Sequence, residues 1–173
     1  MLLHWSLPLG MLLFGRATVG GALGFVALIL VHELGHHALV RSRSLRTIEI
    51  SMHWLGGECR YGATWGSAYD HAIIAWGGVL AQAIVFALAL TVARVLEPAP
   101  GVLADVLFVL LVPNAGMALL NLLPIAGLDG SLAWRLPGML VQRARRRRAE
   151  RTHEKLRTEL ARIERERRER SLH

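Results

Sequence analysis

Residues Ala17 to Val31 carry no charge, and the run ends directly on His32-Glu33-Leu34-Gly35-His36. An uncharged stretch of this kind belongs in lipid or in a deep core, where three ionisable side chains at its end are costly unless they have a task. On a helix, positions four apart share a face, so both imidazoles can grip one metal ion in the HExxH arrangement. Glu33 lies one residue round, close enough to polarise a water at the metal without ligating it. Any fold for this chain has to satisfy that constraint: a metal site built into an apolar helix.

The composition agrees. Of 173 residues, 53% are apolar, too many for an ordinary soluble domain and suited to a small polytopic membrane protein. Residues 1–141 hold 7 Lys/Arg and 7 Asp/Glu, whereas residues 142–173 hold 13 and 6 and so supply the whole formal charge of +7. The basic character belongs to a tail and not to a nucleic-acid-binding fold, and no nucleic acid is expected as a partner. A single cysteine, Cys59, excludes an internal disulfide. The N-terminus lacks a basic region followed by a small-residue cleavage site, so no removable signal peptide is expected and the first membrane helix directs insertion.

The pattern predicts an all-α polytopic membrane protein: three core transmembrane helices, a small β-hairpin insert and a charged C-terminal helix. Residues 1–16 are apolar but broken by Pro8, Gly10 and Gly15, which reads as an interfacial or re-entrant segment. The core covers residues 17–141. Its first span is residues 17–40, with Gly20 and Gly24 allowing another helix to approach and Arg41, Arg43 and Arg46 stopping transfer. In residues 47–65, Ile48, Ile50, Met52 and Trp54 alternate with polar neighbours, Leu55 to Glu58 forms a turn, and Cys59 to Trp65 returns as a second strand. Residues 71–95 and 102–123 form the second and third spans around the turn at 97–101, with a kink expected at Pro113-Asn114. The tail, 142–173, is a helix with one short stripe (Leu156, Leu160, Ile163) amid Arg and Glu, lying along anionic lipid. The first loop and the tail are arginine-rich and loop 97–101 has no basic residue, so the positive-inside rule puts the tail and the HExxH end of the first helix in the cytoplasm. The setting expected is a multi-pass protein of a prokaryotic cytoplasmic membrane.

Catalytic zinc usually has three protein ligands and one open position. A metzincin would place a glycine at 39 and a histidine at 42; this chain has Leu39 and Ser42. Glu58 lies at a thermolysin-like distance, but it follows Gly56-Gly57 in a turn with no helix to hold it. Asp129, in Asn121-Leu-Leu-Pro-Ile-Ala-Gly-Leu-Asp129-Gly130, is the better candidate. His37 points about 100° away from His36 and suits a supporting role. His4, His53 and His71 read as interfacial, and the five tryptophans as membrane-boundary anchors.

HExxH followed two spans later by NLLPIAGLDG resembles the site-2 protease family of intramembrane zinc metalloproteases, over roughly residues 17–135. The resemblance implies one Zn2+ per chain, held by His32, His36 and Asp129, with Glu33 as catalytic acid/base. Asn121 would donate to a developing oxyanion or hold an unwound substrate. Relatives often carry Ala-Gly-Pro and then asparagine in the second core helix; here the stretch is Ala75-Trp76-Gly77-Gly78-Val79-Leu80-Ala81-Gln82, with Gln82 where that asparagine would stand. The activity implied is hydrolysis of a peptide bond within or beside a transmembrane segment of a membrane-protein substrate. The edge of the 47–65 strand pair would hold the unwound segment, and a separate protein or a prior cut would control access. Two other readings stand beside it: a proteolytically silent metal-binding protein or substrate escort, and a peptidase that cuts soluble peptides at the membrane surface. The intact Glu33 argues against the silent reading.

Overall fold

The computed structural model describes residues 2–3, 17–45, 47–53, 56–61 and 66–170, with backbone alone for the strands and for 164–170. The expectations for residues 1–16 other than Leu2–Leu3, for residues 62–65, and for the side chain of Glu58 lie outside that range.

Three helices are long and apolar enough to cross a membrane: Val19–Ser42, Ala68–Val95 and Gly101–Asn121. Helix α1 is Val19–Ser42, two residues later at each end than the hydropathy run suggests. Its start is fixed by Thr18, whose Oγ1 accepts the Gly21 N–H at 3.0 Å, a bond that hydropathy does not register. The second span consists of α2 (Ala68–Ile74) and α3 (Trp76–Val95), meeting at Ala75. It begins before residue 71 because Ser67 and Asp70 form a reciprocal capping box: Asp70 N–H donates to Ser67 Oγ at 3.2 Å, and Ser67 N–H to Asp70 Oδ2 at 3.0 Å. The third, α4 (Gly101–Asn121), runs on through Pro113. The proline removes a backbone donor, and beside it Asn114 Nδ2 donates to Leu110 O at 3.0 Å and across to Gln82 O at 3.1 Å.

The three spans pack on one another. Phe25, Leu28 and Ile29 of α1 and Val109 of α4 form the buried apolar centre. Small residues set the crossings. A Cβ on Gly20 would lie 2.5 Å from Val102 O, and one on Gly24 would lie 3.0 Å from Val109 Cβ, so the expected close approach falls against α4. On α3, a Cβ on Gly77 would lie 2.5 Å from Gly35 O and 2.9 Å from His36 Cα, so the α1 and α3 backbones touch at the HExxH motif. Outward, Leu80, Ile84 and Leu88 form an exposed apolar stripe at helical spacing, consistent with a lipid-facing surface.

Between the first two spans the backbone forms β2 (Thr47–His53) and β3 (Gly56–Tyr61), paired antiparallel, while β1 (Leu2–Leu3) lies parallel to β2, giving sheet order β1-β2-β3. His53 pairs with Gly56 and Ser51 with Glu58, so Gly56, Gly57 and Glu58, which were expected to turn, belong to the ladder. After α4 come the short helix α5 (Gly130–Ala133) and the long α6 (Arg135–Arg170). The chain divides into the units Met1–Leu136 and Pro137–His173. In the second, Leu156, Leu160 and Ile163 are exposed among charged residues.

Gly77→Val should destabilise the protein by about 1–3 kcal/mol through overpacking at the α1–α3 crossing, read as a lower thermal midpoint in detergent. Gly116→Ala is the control. Its Cβ would meet no atom of the described residues within 4 Å, and alanine should raise the midpoint by up to ~1 kcal/mol of helix propensity.

Candidate metal centre

One turn of α1 carries both histidines, 4% and 6% exposed, with rings 4.7 Å apart between centroids. Their Nε2 atoms stand 3.1 Å from each other, and each is 3.2 Å from Asp129 Oδ2. The chain therefore brings His32, His36 and Asp129 together as one buried group that could hold a metal ion.

Asp129 reaches the site because α4 stops short of it. Pro124 cannot continue the helix, and the chain turns through Ile125 N–H to Leu123 O (2.8 Å) and Leu128 N–H to Ile125 O (3.1 Å). Gly127, at φ +91°, takes a backbone shape that a side chain would oppose. Asp129 then caps α5, its carbonyl accepting the Ala133 N–H at 2.8 Å. Two indoles brace the turn: Trp134 Nε1 donates to Leu122 O at 2.6 Å, and Trp76 Nε1 donates to Ala133 O at 3.0 Å.

The tautomers follow from the other ring nitrogens. His36 Nδ1 lies 2.8 Å from the Ile74 carbonyl, which can only accept, so Nδ1 carries the proton. His32 Nδ1 donates likewise to Gln82 Oε1 at 3.0 Å. Both Nε2 atoms are left as lone pairs aimed at a carboxylate oxygen that has no hydrogen-bond donor among the described residues. Three such atoms repel unless positive charge sits among them, as a proton on an imidazole or as a metal ion.

The spacing fits a small metal ion. Three donors bound to one tetrahedral zinc at ~2.0–2.1 Å stand roughly 3.3 Å apart, close to the separations found. Glu33, 1% exposed, is buried on the same helical turn. Asn121, the last residue of α4, brings Nδ2 to 3.5 Å from His32 Nε2. His37 is not one of the three clustered residues.

Sequence reasoning missed the groups behind the ligands. Gln82 stands where a substrate contact was in question; its side chain is fully buried, with Oε1 on His32 Nδ1. Its signal was available: a polar amide inside an uncharged span is seldom idle. Trp76 and Trp134, read as boundary anchors, both donate into the Asp129 turn, a role the sequence did not suggest. Comparison of the chain with models of known protein families gives no match, and comparison with curated proteins also gives none.

His32→Ala, His36→Ala and Asp129→Ala should each remove most of the divalent metal retained after mild chelation, which in the unaltered protein should be roughly one ion per chain. Cys59→Ser should retain it. Elemental analysis of the purified protein checks both.

Proposed function

We propose that the chain is an intramembrane zinc metalloendopeptidase of the site-2 protease kind, hydrolysing a peptide bond within or next to a transmembrane segment of a membrane-protein substrate. The observation that carries this reading is the triangle of His32 Nε2, His36 Nε2 and Asp129 Oδ2 beside a buried Glu33. Two imidazoles and one carboxylate suit Zn2+, one per chain, and do not supply the oxygen-rich shells that calcium and magnesium need. Held there, zinc would supply Lewis acidity at a scissile carbonyl and at the attacking water.

Glu33 takes the proton from that water and delivers it to the leaving amine nitrogen, so both fragments depart as ordinary carboxyl and amino termini. The Asn121 amide, on the His32 side of the cluster, donates to the oxyanion that develops at the carbonyl. A helical substrate hides its carbonyls in its own hydrogen bonds and must unwind before it reaches this site. With β2 central in the sheet, an outer edge of β3 or β1 is where an unwound segment would add as a strand. The tail and the HExxH end of α1 face the cytoplasm. The arginines between Arg143 and Arg148 rest on anionic lipid, each contributing about 1 kcal/mol near a charged surface. A separate protein or a prior cut controls substrate access.

The test is cleavage of a single-span substrate in proteoliposomes. Glu33→Gln should lose about 10²–10⁴-fold in rate while keeping its metal. Equal rates for the two proteins would remove the protease reading. Moving the cut site into a soluble domain far from the substrate's transmembrane segment should abolish cleavage, and undiminished cleavage there would favour a peptidase of soluble chains.

A further inference from the structure

We propose that the second span, which contributes no ligand, positions all three. Gln82 fixes His32, the Ile74 carbonyl fixes His36, and Trp76 holds the turn that carries Asp129. This rests on the metal reading of the His32, His36 and Asp129 group.

The placement of the side chains on α3 carries the inference. Gly78 and Gln82 are four apart, so they share a helical face, and that face meets His32. The His32 ring lies directly on the bare backbone of Gly78, where a Cβ would collide with Nδ1 at 2.5 Å and Nε2 at 2.6 Å. One turn further on, Gln82 reaches the same ring from its Nδ1 side at 3.0 Å. The imidazole is therefore held in plane by Gly78 and in rotation by Gln82, with Nε2 turned to the metal position. Asn114 Nδ2 donates to the Gln82 backbone carbonyl at 3.1 Å and so ties this segment of α3 to α4.

Each of the other ligands meets the same stretch of chain. Ile74, the last residue of α2, accepts from His36 Nδ1 at 2.8 Å. Trp76, the first residue of α3, donates to Ala133 O at 3.0 Å, and Ala133 N–H in turn donates to Asp129 O at 2.8 Å. Trp134 meets the Trp76 ring edge to face at 5.7 Å between centroids and holds the far side of that turn through Leu122 O. Nine consecutive positions, 74–82, thus reach behind every ligand. Partners of this kind fix ligand tautomer and direction, and their loss weakens metal binding about 10–100-fold.

The experiment is zinc affinity of the full chain in detergent, measured by competition with a coloured chelator. Gln82→Leu keeps the bulk and removes the acceptor, and should weaken zinc binding about 10–100-fold. Gln82→Glu restores an acceptor for Nδ1–H and should bind within about threefold of the unaltered protein, as carboxylate–histidine–zinc pairs do. Trp76→Phe keeps an aromatic ring and removes the N–H, and should bind roughly tenfold more weakly. Unchanged affinity in both Gln82→Leu and Trp76→Phe would overturn the proposal. Equal loss in Gln82→Leu and Gln82→Glu would also overturn it, because packing alone would then explain the effect. His32→Ala separates the two levels of the argument. If it binds zinc as tightly as the unaltered chain, the metal reading itself fails. Should Gln82→Leu not fold, Trp76→Phe against the unaltered protein decides the matter.

Discussion

Two imidazole lone pairs and one carboxylate oxygen face each other at hydrogen-bonding distance with no proton obliged to lie between them. The arrangement is unfavourable by itself, and the rest of the molecule can be understood as what holds it in place. The Ile74 carbonyl and the Gln82 amide commit both Nδ1 atoms, so neither ring can turn its other nitrogen inward without losing a buried bond. The turn after α4 commits Asp129. A cation at the centre would resolve the repulsion, and the low dielectric around the site would make that resolution strong.

The apolar helices serve the same end. Glycine at positions 35, 77 and 78 lets α3 lie against α1 at the motif itself, close enough for a backbone carbonyl and a glutamine side chain to reach the histidines. Bulkier residues there would push the second span outward and leave both Nδ1 atoms without acceptors. The buried polar residues among the described ones (His32, Glu33, His36, Gln82 and Asn114) form one connected region and are not scattered through the bundle. That concentration matches the cost of burying such groups in an apolar setting.

Much of this was legible in the sequence, and the limits have physical causes. The two histidines could be placed on one face because helical periodicity alone does so. Asp129 could not be placed by periodicity, since its position depends on a proline, a glycine at positive φ and two indole hydrogen bonds that bend the chain back. Hydropathy found the three spans but misplaced the first two starts, because Thr18 and the Ser67–Asp70 box set those starts through side-chain hydrogen bonds. Pro113 predicts a kink within the third span; α4 stays helical through it, and Asn114 beside it donates to Leu110 O and Gln82 O. Gln82 stands out in the sequence as a departure from a pattern, but its neighbour is not legible there. Only three-dimensional packing shows that the residue four before it is a glycine lying under the His32 ring.

The most direct test of the metal centre is X-ray absorption at the zinc edge on the loaded, detergent-solubilised protein. The account predicts a four-coordinate shell of nitrogen and oxygen alone at about 2.0–2.1 Å, with the outer-shell scattering of two imidazoles. A sulfur contribution near 2.3 Å, or scattering from fewer than two imidazoles, would contradict it.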